Sequence, residues 1–132
     1  MGARRHDVAA AGLLAAALLA AFPVEAAKQS AVPNRFGAIA YHRPSQSWGI
    51  SYDAVRARDA SLEALKQCGN QRCEVIHKFK NSCAALVDGP KERAALTASG
   101  ATRDEAETKA LKRCSSPNQG ASCNVIAWAC TR

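Results

Sequence analysis

Large rings are scarce in this chain, which has three Phe, two Tyr and two Trp among 132 residues, with a single Met. Single-strand nucleic-acid binders interleave aromatic and basic residues so that bases can stack, and that pattern is absent, so no specific nucleic-acid partner is expected. Histidine is nearly as rare, because after His6 only His42 and His77 follow. Neither sits in a His-Glu-x-x-His or Gly-x-Ser-x-Gly arrangement, which removes the common zinc-peptidase and serine-hydrolase signatures. No cysteine precedes Cys68, which excludes a lipid-modified N-terminal cysteine. Long apolar runs are lacking too: the longest, Val8 to Phe22, is about fifteen residues, against the roughly twenty needed for a membrane-crossing helix.

That run has a different meaning. Arg4 and Arg5 precede it, polar residues follow it, and Val24 and Ala26 suit the small-residue positions of a signal-peptidase site. The expectation is a secretory signal peptide over 1–26, cleaved after Ala26, and a periplasmic or secreted domain over 27–132. An uncleaved membrane anchor is the competing reading, disfavoured by the length of the run. Cleavage would remove two basic and two acidic side chains, so the remaining 106 residues keep the net charge of +7. That length makes one domain, burying about two-thirds of the surface its unfolded chain exposes.

A core of that size gains from covalent staples. All six cysteines lie beyond the leader, an even number in an exported chain, which points to three disulfides. The alternative is a zinc site on Cys68, Cys73, Cys114 and Cys123. It is disfavoured because exported thiols pair and the spacings exceed those of common zinc knuckles. No cofactor is expected.

An internal repeat organises the rest. Laid without gaps, Ala38 to Cys68 falls on Ala84 to Cys114, every pair 46 positions apart. Pro44 meets Pro90, Ile50 meets Leu96, Ser51 meets Thr97, Ala60 meets Ala106, and Ala64-Leu65-Lys66 meets Ala110-Leu111-Lys112. After four extra loop residues, Cys73, Val75 and Ile76 meet Cys123, Val125 and Ile126. Two copies are too few for a solenoid, so duplication within one domain is the better account, the halves covering about 36–80 and 83–130.

Each half reads as strand, strand, helix, strand. The expected strands are Gly37 to Tyr41, Trp48 to Tyr52 and Cys73 to Lys80, then Ala84 to Val87, Ala94 to Ala98 and Cys123 to Cys130. Thr102 with Glu105 forms a capping box that starts the second helix, whereas the first begins near Val55 without one. Ala60, Ala64, Leu65 and Cys68, like Ala106, Ala110, Leu111 and Cys114, recur at helical spacing and give each helix a narrow face of small residues. The fold class is α+β: an antiparallel or mixed sheet with two helices on one face, stapled by disulfides. Of the fifteen pairings that six cysteines allow, the repeat favours Cys68–Cys73 and Cys114–Cys123 as equivalent local bonds, leaving Cys83–Cys130 to tie the second half's first strand to the chain's end.

The order Phe36-Gly37-Ala38-Ile39-Ala40, Trp48-Gly49, an Ala-rich helix ending at Cys68, Cys73-Glu74-Val75 and Cys83-Ala84-Ala85 resembles the small exported bacterial domain family called domain of unknown function 4189. The likeness spans almost all of 27–132, except that Ala94-Ala95 stands where an aromatic-glycine pair is expected. It implies export, disulfides and no assigned biochemical activity.

Candidate chemistry is sparse. His77 shares an expected strand face with Val75 and Phe79 and its repeat partner is Ala127, which suits a half-buried sheet position better than a general base. His42 opens a turn beside Arg43 and Pro44 and reads as a loop histidine. Asp59, Glu63, Asp104, Glu105 and Glu107 crowd the helices, where carboxylates near the start complement the helix dipole. Catalysis is therefore unsupported and no catalytic residue is assigned. The charge of +7 instead favours an anionic partner, such as an envelope polymer or an acidic protein. Arg72, Lys78 and Lys80 are the nearest approach to an anion-binding cluster, with a solvated sheet face as the plainer reading. The working expectation is a non-catalytic exported binding module; the alternative is a small exported hydrolase using His77 or His42.

Overall fold

Alternate residues of a strand point to opposite faces, so a strand apolar at both parities must be covered on both sides. The first strand of each half has that character, and its two faces find different partners. The computed structural model describes residues 31–89, 95–118 and 122–132; the expected leader, its cleavage point and Pro90 lie outside them. The elements are β1 (Phe36–His42), β2 (Ser47–Ala54), α1 (Ala57–Cys68), β3 (Glu74–Lys80), β4 (Cys83–Asp88), β5 (Leu96–Gly100), α2 (Arg103–Asn118) and β6 (Asn124–Cys130). The strand-strand-helix-strand order thus occurs twice.

The strands form two antiparallel three-stranded sheets, β2-β1-β3 and β5-β4-β6. Ile39, Tyr41 and Phe79 of the first meet Ala84, Leu86, Ala127 and Ala129 of the second in a core between the sheets. At the other parity Ala38 and Ala40 pack on Ala60, Ala64 and Cys68 of α1. Cys83, Ala85 and Val87 pack likewise on Ala106, Ala110 and Cys114 of α2. The layers run helix, sheet, sheet, helix. The α+β class and the duplicated unit hold, while the expected single sheet with both helices on one face is replaced by two sheets, each with its own helix outside. Large side chains at one parity of β1 and β4 join the sheets, and small ones at the other admit the helices.

The repeat register also shifts. Ile39 pairs with His77 just before a bulge in β3, and Leu86 pairs with Ala127 just before the matching bulge in β6. Those landmarks lie 47 apart, so the strand pairs are Ala38 with Ala85 and Ser51 with Ala98, one position off the ungapped match. The helices keep the offset of 46, with Ala60, Ala64 and Cys68 buried as Ala106, Ala110 and Cys114 are. The extra residue of the first half sits in a β2 bulge, where Ala38 pairs with Ser51 but Phe36 with Ala54, and Asp53 takes φ 58°. Gly49 therefore corresponds to Leu96, and Cys83 to Phe36 rather than Gly37. The β3 bulge likewise corrects the expected face of His77: Phe79 shares it, but Val75 turns toward α1.

Local chemistry sets the helix ends. The Thr102 hydroxyl accepts the Glu105 N–H at 3.2 Å, and the Glu105 carboxylate accepts the Ala101 N–H at 2.8 Å, a reciprocal cap on α2. Helix α1 starts two residues later than expected, after Arg56, which makes no side-chain cap, and it ends on left-handed Gly69. Buried Ser51 pins α1 to its sheet: its hydroxyl accepts the Ala38 N–H at 3.1 Å and donates to the Ala60 carbonyl at 2.6 Å. The disulfides are Cys68–Cys73, Cys114–Cys123 and Cys83–Cys130, the pairing the repeat favours. All four thiolates of the zinc alternative are thereby consumed.

Candidate functional site

The turn between β1 and β2 and the loop between α1 and β3 lie side by side at one end of the first sheet. The Cys68–Cys73 bond closes that loop, and Asn70 shapes it: its side-chain carbonyl accepts the Arg72 N–H at 2.9 Å and its backbone carbonyl the Cys73 N–H at 3.0 Å. The Asn70 amide reaches across to His42 Nδ1 at 3.1 Å and to the Ser45 hydroxyl at 3.4 Å. Ser45 also touches His42 Nδ1 at 2.6 Å and the Ser47 hydroxyl at 2.8 Å. These hydrogen bonds tie the two loops to each other.

Between those loops opens a cleft of about 430 Å³ lined by Tyr41, His42, Arg43, Arg72, Glu74 and Ile76 among others. Arg43 and Arg72 are both exposed, and neither belongs to an ion pair among the described residues. Burial first, and the Asp88 carboxylate second, push the Tyr41 hydroxyl above its ordinary value, Arg43 working the other way. Tyr41 therefore stays protonated at neutral pH. The cleft offers two guanidinium groups, which bind carboxylate or phosphate in bidentate fashion, with one carboxylate, Glu74, on its wall.

The expected trio Arg72, Lys78 and Lys80 is divided. Lys78 and Lys80 are exposed on the outer strand β3, opposite Ala38 and Phe36. Arg72 lies before the other end of that strand, six positions from Lys78, or about 20 Å along an extended chain. Arg43, on the neighbouring turn, joins Arg72 in its place. Sequence spacing could not show this, since the two arginines line one cleft only because β1 and β3 are neighbours.

His77 is half-buried on β3, its Nε2 2.6 Å from the Ser99 hydroxyl on β5, with Phe79 alongside. Burial, helped by the Arg113 guanidinium, lowers its pKa from the ordinary 6.5. The folded state thus favours neutral imidazole, and the unfolded chain takes up the proton first as pH falls below about 6.5. Stability from this group is complete above that pH and declines on acidification. The melting temperature should therefore fall between about pH 7 and 5, with a flatter profile in His77→Gln. An identical slope in that variant would place the acid sensitivity elsewhere.

Residues 36–130 match the model described as Domain of unknown function (DUF4189). The chain belongs to the DUF4189 family. It is 30% identical over 95 residues to the uncharacterized protein Rv1813c of Mycobacterium tuberculosis and, equally, to the uncharacterized protein Mb1843c of Mycobacterium bovis. Those stretches cover 72% of this chain but 59% of each relative, so the chain spans under two-thirds of their length. The NMR structure of Rv1813c superposes with a TM-score of 0.57 at 25% identity, covering 94% of this chain and 99% of that one. The DUF4189 fold here therefore has a solved counterpart. Among the described residues no helix is long and apolar enough to cross a membrane.

Proposed function

We propose that this DUF4189 chain is an exported, non-catalytic binding module, acting in the periplasm or outside the cell, whose cleft between the 43–46 turn and the 69–72 loop holds an anionic group of an envelope component. The observation that carries this reading is the convergence of Arg43 and Arg72, free of ion pairs among the described residues, on one cleft whose walls are held by the His42–Ser45–Asn70 network. Glu74 on the wall disfavours a dense polyanion, and a single phosphate or carboxylate seated between the guanidiniums suits it better. The net charge of +7 adds a long-range field that draws such a ligand in.

The test uses vesicles containing phosphatidylglycerol, with phosphatidylcholine vesicles as control. Binding should fall steeply as salt rises to about 0.15 M, where exposed charges are screened beyond about 8 Å. The Arg43→Ala/Arg72→Ala pair should weaken it by about tenfold, the loss of roughly 1.4 kcal/mol. Binding that ignores salt, or that is lost only in Lys78→Ala/Lys80→Ala, sinks the assignment to this cleft. Capture of acidic proteins in place of vesicles would give the same cleft a protein partner.

A second reading, a small exported hydrolase using His77 or His42, rests on the contact each ring makes with a serine hydroxyl, Ser99 and Ser45 respectively. A serine nucleophile needs its base oriented by a third group. Among the described residues neither ring bonds a carboxylate, and the Asn70 amide meets the same nitrogen of His42 that Ser45 does. Replacing both histidines by Ala discriminates: loss of a cell-envelope phenotype in a folded protein supports chemistry, and indifference supports binding.

A further inference from the structure

A second cleft, of about 310 Å³, opens where β2 of one sheet runs beside β6 of the other, lined by Tyr52, Trp128, Ala129, Cys130 and Arg132. Tyr52 and Trp128 are 60% and 42% exposed, in a chain with only seven large rings. Exposing two of them in one concavity forgoes burial that a small core could use.

The cleft is shaped by deliberate features of the backbone. The β2 bulge that has no equivalent in β5 places Asp53 at φ 58° directly after Tyr52, and bulges recur where a strand must re-aim a side chain beside a site. The Asp53 carboxylate accepts the Arg132 N–H at 2.7 Å, drawing the last residue across to β2. On the other side the Arg103 guanidinium lies 4.1 Å from the Trp128 ring centre and is held by Glu107 at 2.6 Å. The indole is thereby fixed as a rigid wall.

Charge around this cleft is mixed. Arg103 pairs with Glu107, and beside the one guanidinium of Arg132 on the lining stands the one carboxylate of Asp53, which accepts the Arg132 backbone N–H, so no cluster of one sign selects a polyanion or an ammonium ion. What remains is an aromatic wall with a rim of hydroxyl, guanidinium and carboxylate groups. A sugar ring has the complementary form, an apolar C–H face edged by hydroxyls, and the volume suits a ligand of one or two rings. We propose that this cleft is a binding site for a neutral oligosaccharide, stacked on Trp128 and Tyr52. It lies at the end of β2 that carries Tyr52 and Asp53, the opposite end from the Arg43 turn, and does not depend on the anionic reading of that turn's cleft.

The test follows intrinsic fluorescence of the full chain carrying Trp48→Phe, which leaves Trp128 as the sole indole, titrated with chitotriose and with maltotriose. A saturating change in emission is expected with one of them, persisting at about 1 M salt, where charge attraction is screened within about 3 Å. Tyr52→Ala should weaken it by about tenfold, Tyr52→Phe should largely restore it, and both should melt like the parent. The Arg43→Ala/Arg72→Ala variant should respond as the parent does, which separates this site from the first. Absence of a saturating change with either sugar overturns the proposal. So does an equal response to adenosine or tetramethylammonium, which would mark generic stacking or a cation site.

Discussion

Replacing Cys83 and Cys130 together by Ser should cost about 4 kcal/mol of stability, against about 2 to 3 for either local disulfide. The Cys83–Cys130 bond closes a separation of 47 residues, whereas Cys68–Cys73 and Cys114–Cys123 close 5 and 9, and the entropy withheld from the unfolded chain grows with loop length. The two cysteines also face each other directly across β4 and β6, with Cα atoms 3.9 Å apart, so the native strands bring them together unaided. In the first half the equivalent pair is Phe36 opposite Lys80, which shows that the geometry does not require the bond. The double variant should therefore fold to the same structure and unfold at lower denaturant concentration. Equilibrium urea unfolding of the three disulfide variants ranks them, and a loss no larger than for the local bonds would refute the loop-length account.

Gly49→Ala should be nearly as damaging, at about 3 kcal/mol, the upper end for overpacking. A methyl group there would collide with the Ala64 carbonyl oxygen and lie 2.5 Å from the Cys68 nitrogen, both backbone atoms of α1 that no rotamer change can move aside. The helix would have to lift from β2, straining the Ser51–Ala60 bond that joins them. Ala64→Leu attacks the same contact from the helix side, at a fully buried position, and should cost about 1 to 3 kcal/mol. Thermal melts decide both: an unaltered melting temperature in Ala64→Leu would mean that this face of α1 is not buried as described. The second half supplies a control, because Leu96 stands where Gly49 does and Leu96→Ala removes a side chain instead of adding one.

The two clefts differ in how much of them showed in the residues. Arg72 is close in sequence to Lys78 and Lys80, but the extended strand β3 carries those lysines away from it. Arg43 carried no signal of its own, since only the pairing of β1 with β3 brings its turn to the Arg72 loop. Tyr52 and Trp128 are 76 positions apart and lie on strands of different sheets. Only the stacking of the two sheets brings both rings to one cleft.

The pattern of residues alone was enough to establish the duplication, the strand-strand-helix-strand order, the α2 cap and all three disulfides. Each of these is governed by near neighbours or by equivalence between halves: a capping box spans four residues, helical spacing repeats every few, and like cysteines form like bonds, which leaves Cys83 and Cys130 to pair with each other. The division into two sheets, the one-residue slip between strand and helix registers and the contents of both clefts were settled only in three dimensions. An apolar strand announces that both its faces are covered but not by what, and a bulge costs one residue that an ungapped match between halves cannot see. Such choices are made by packing among distant segments, where the energy of closing a core between sheets outweighs any local preference.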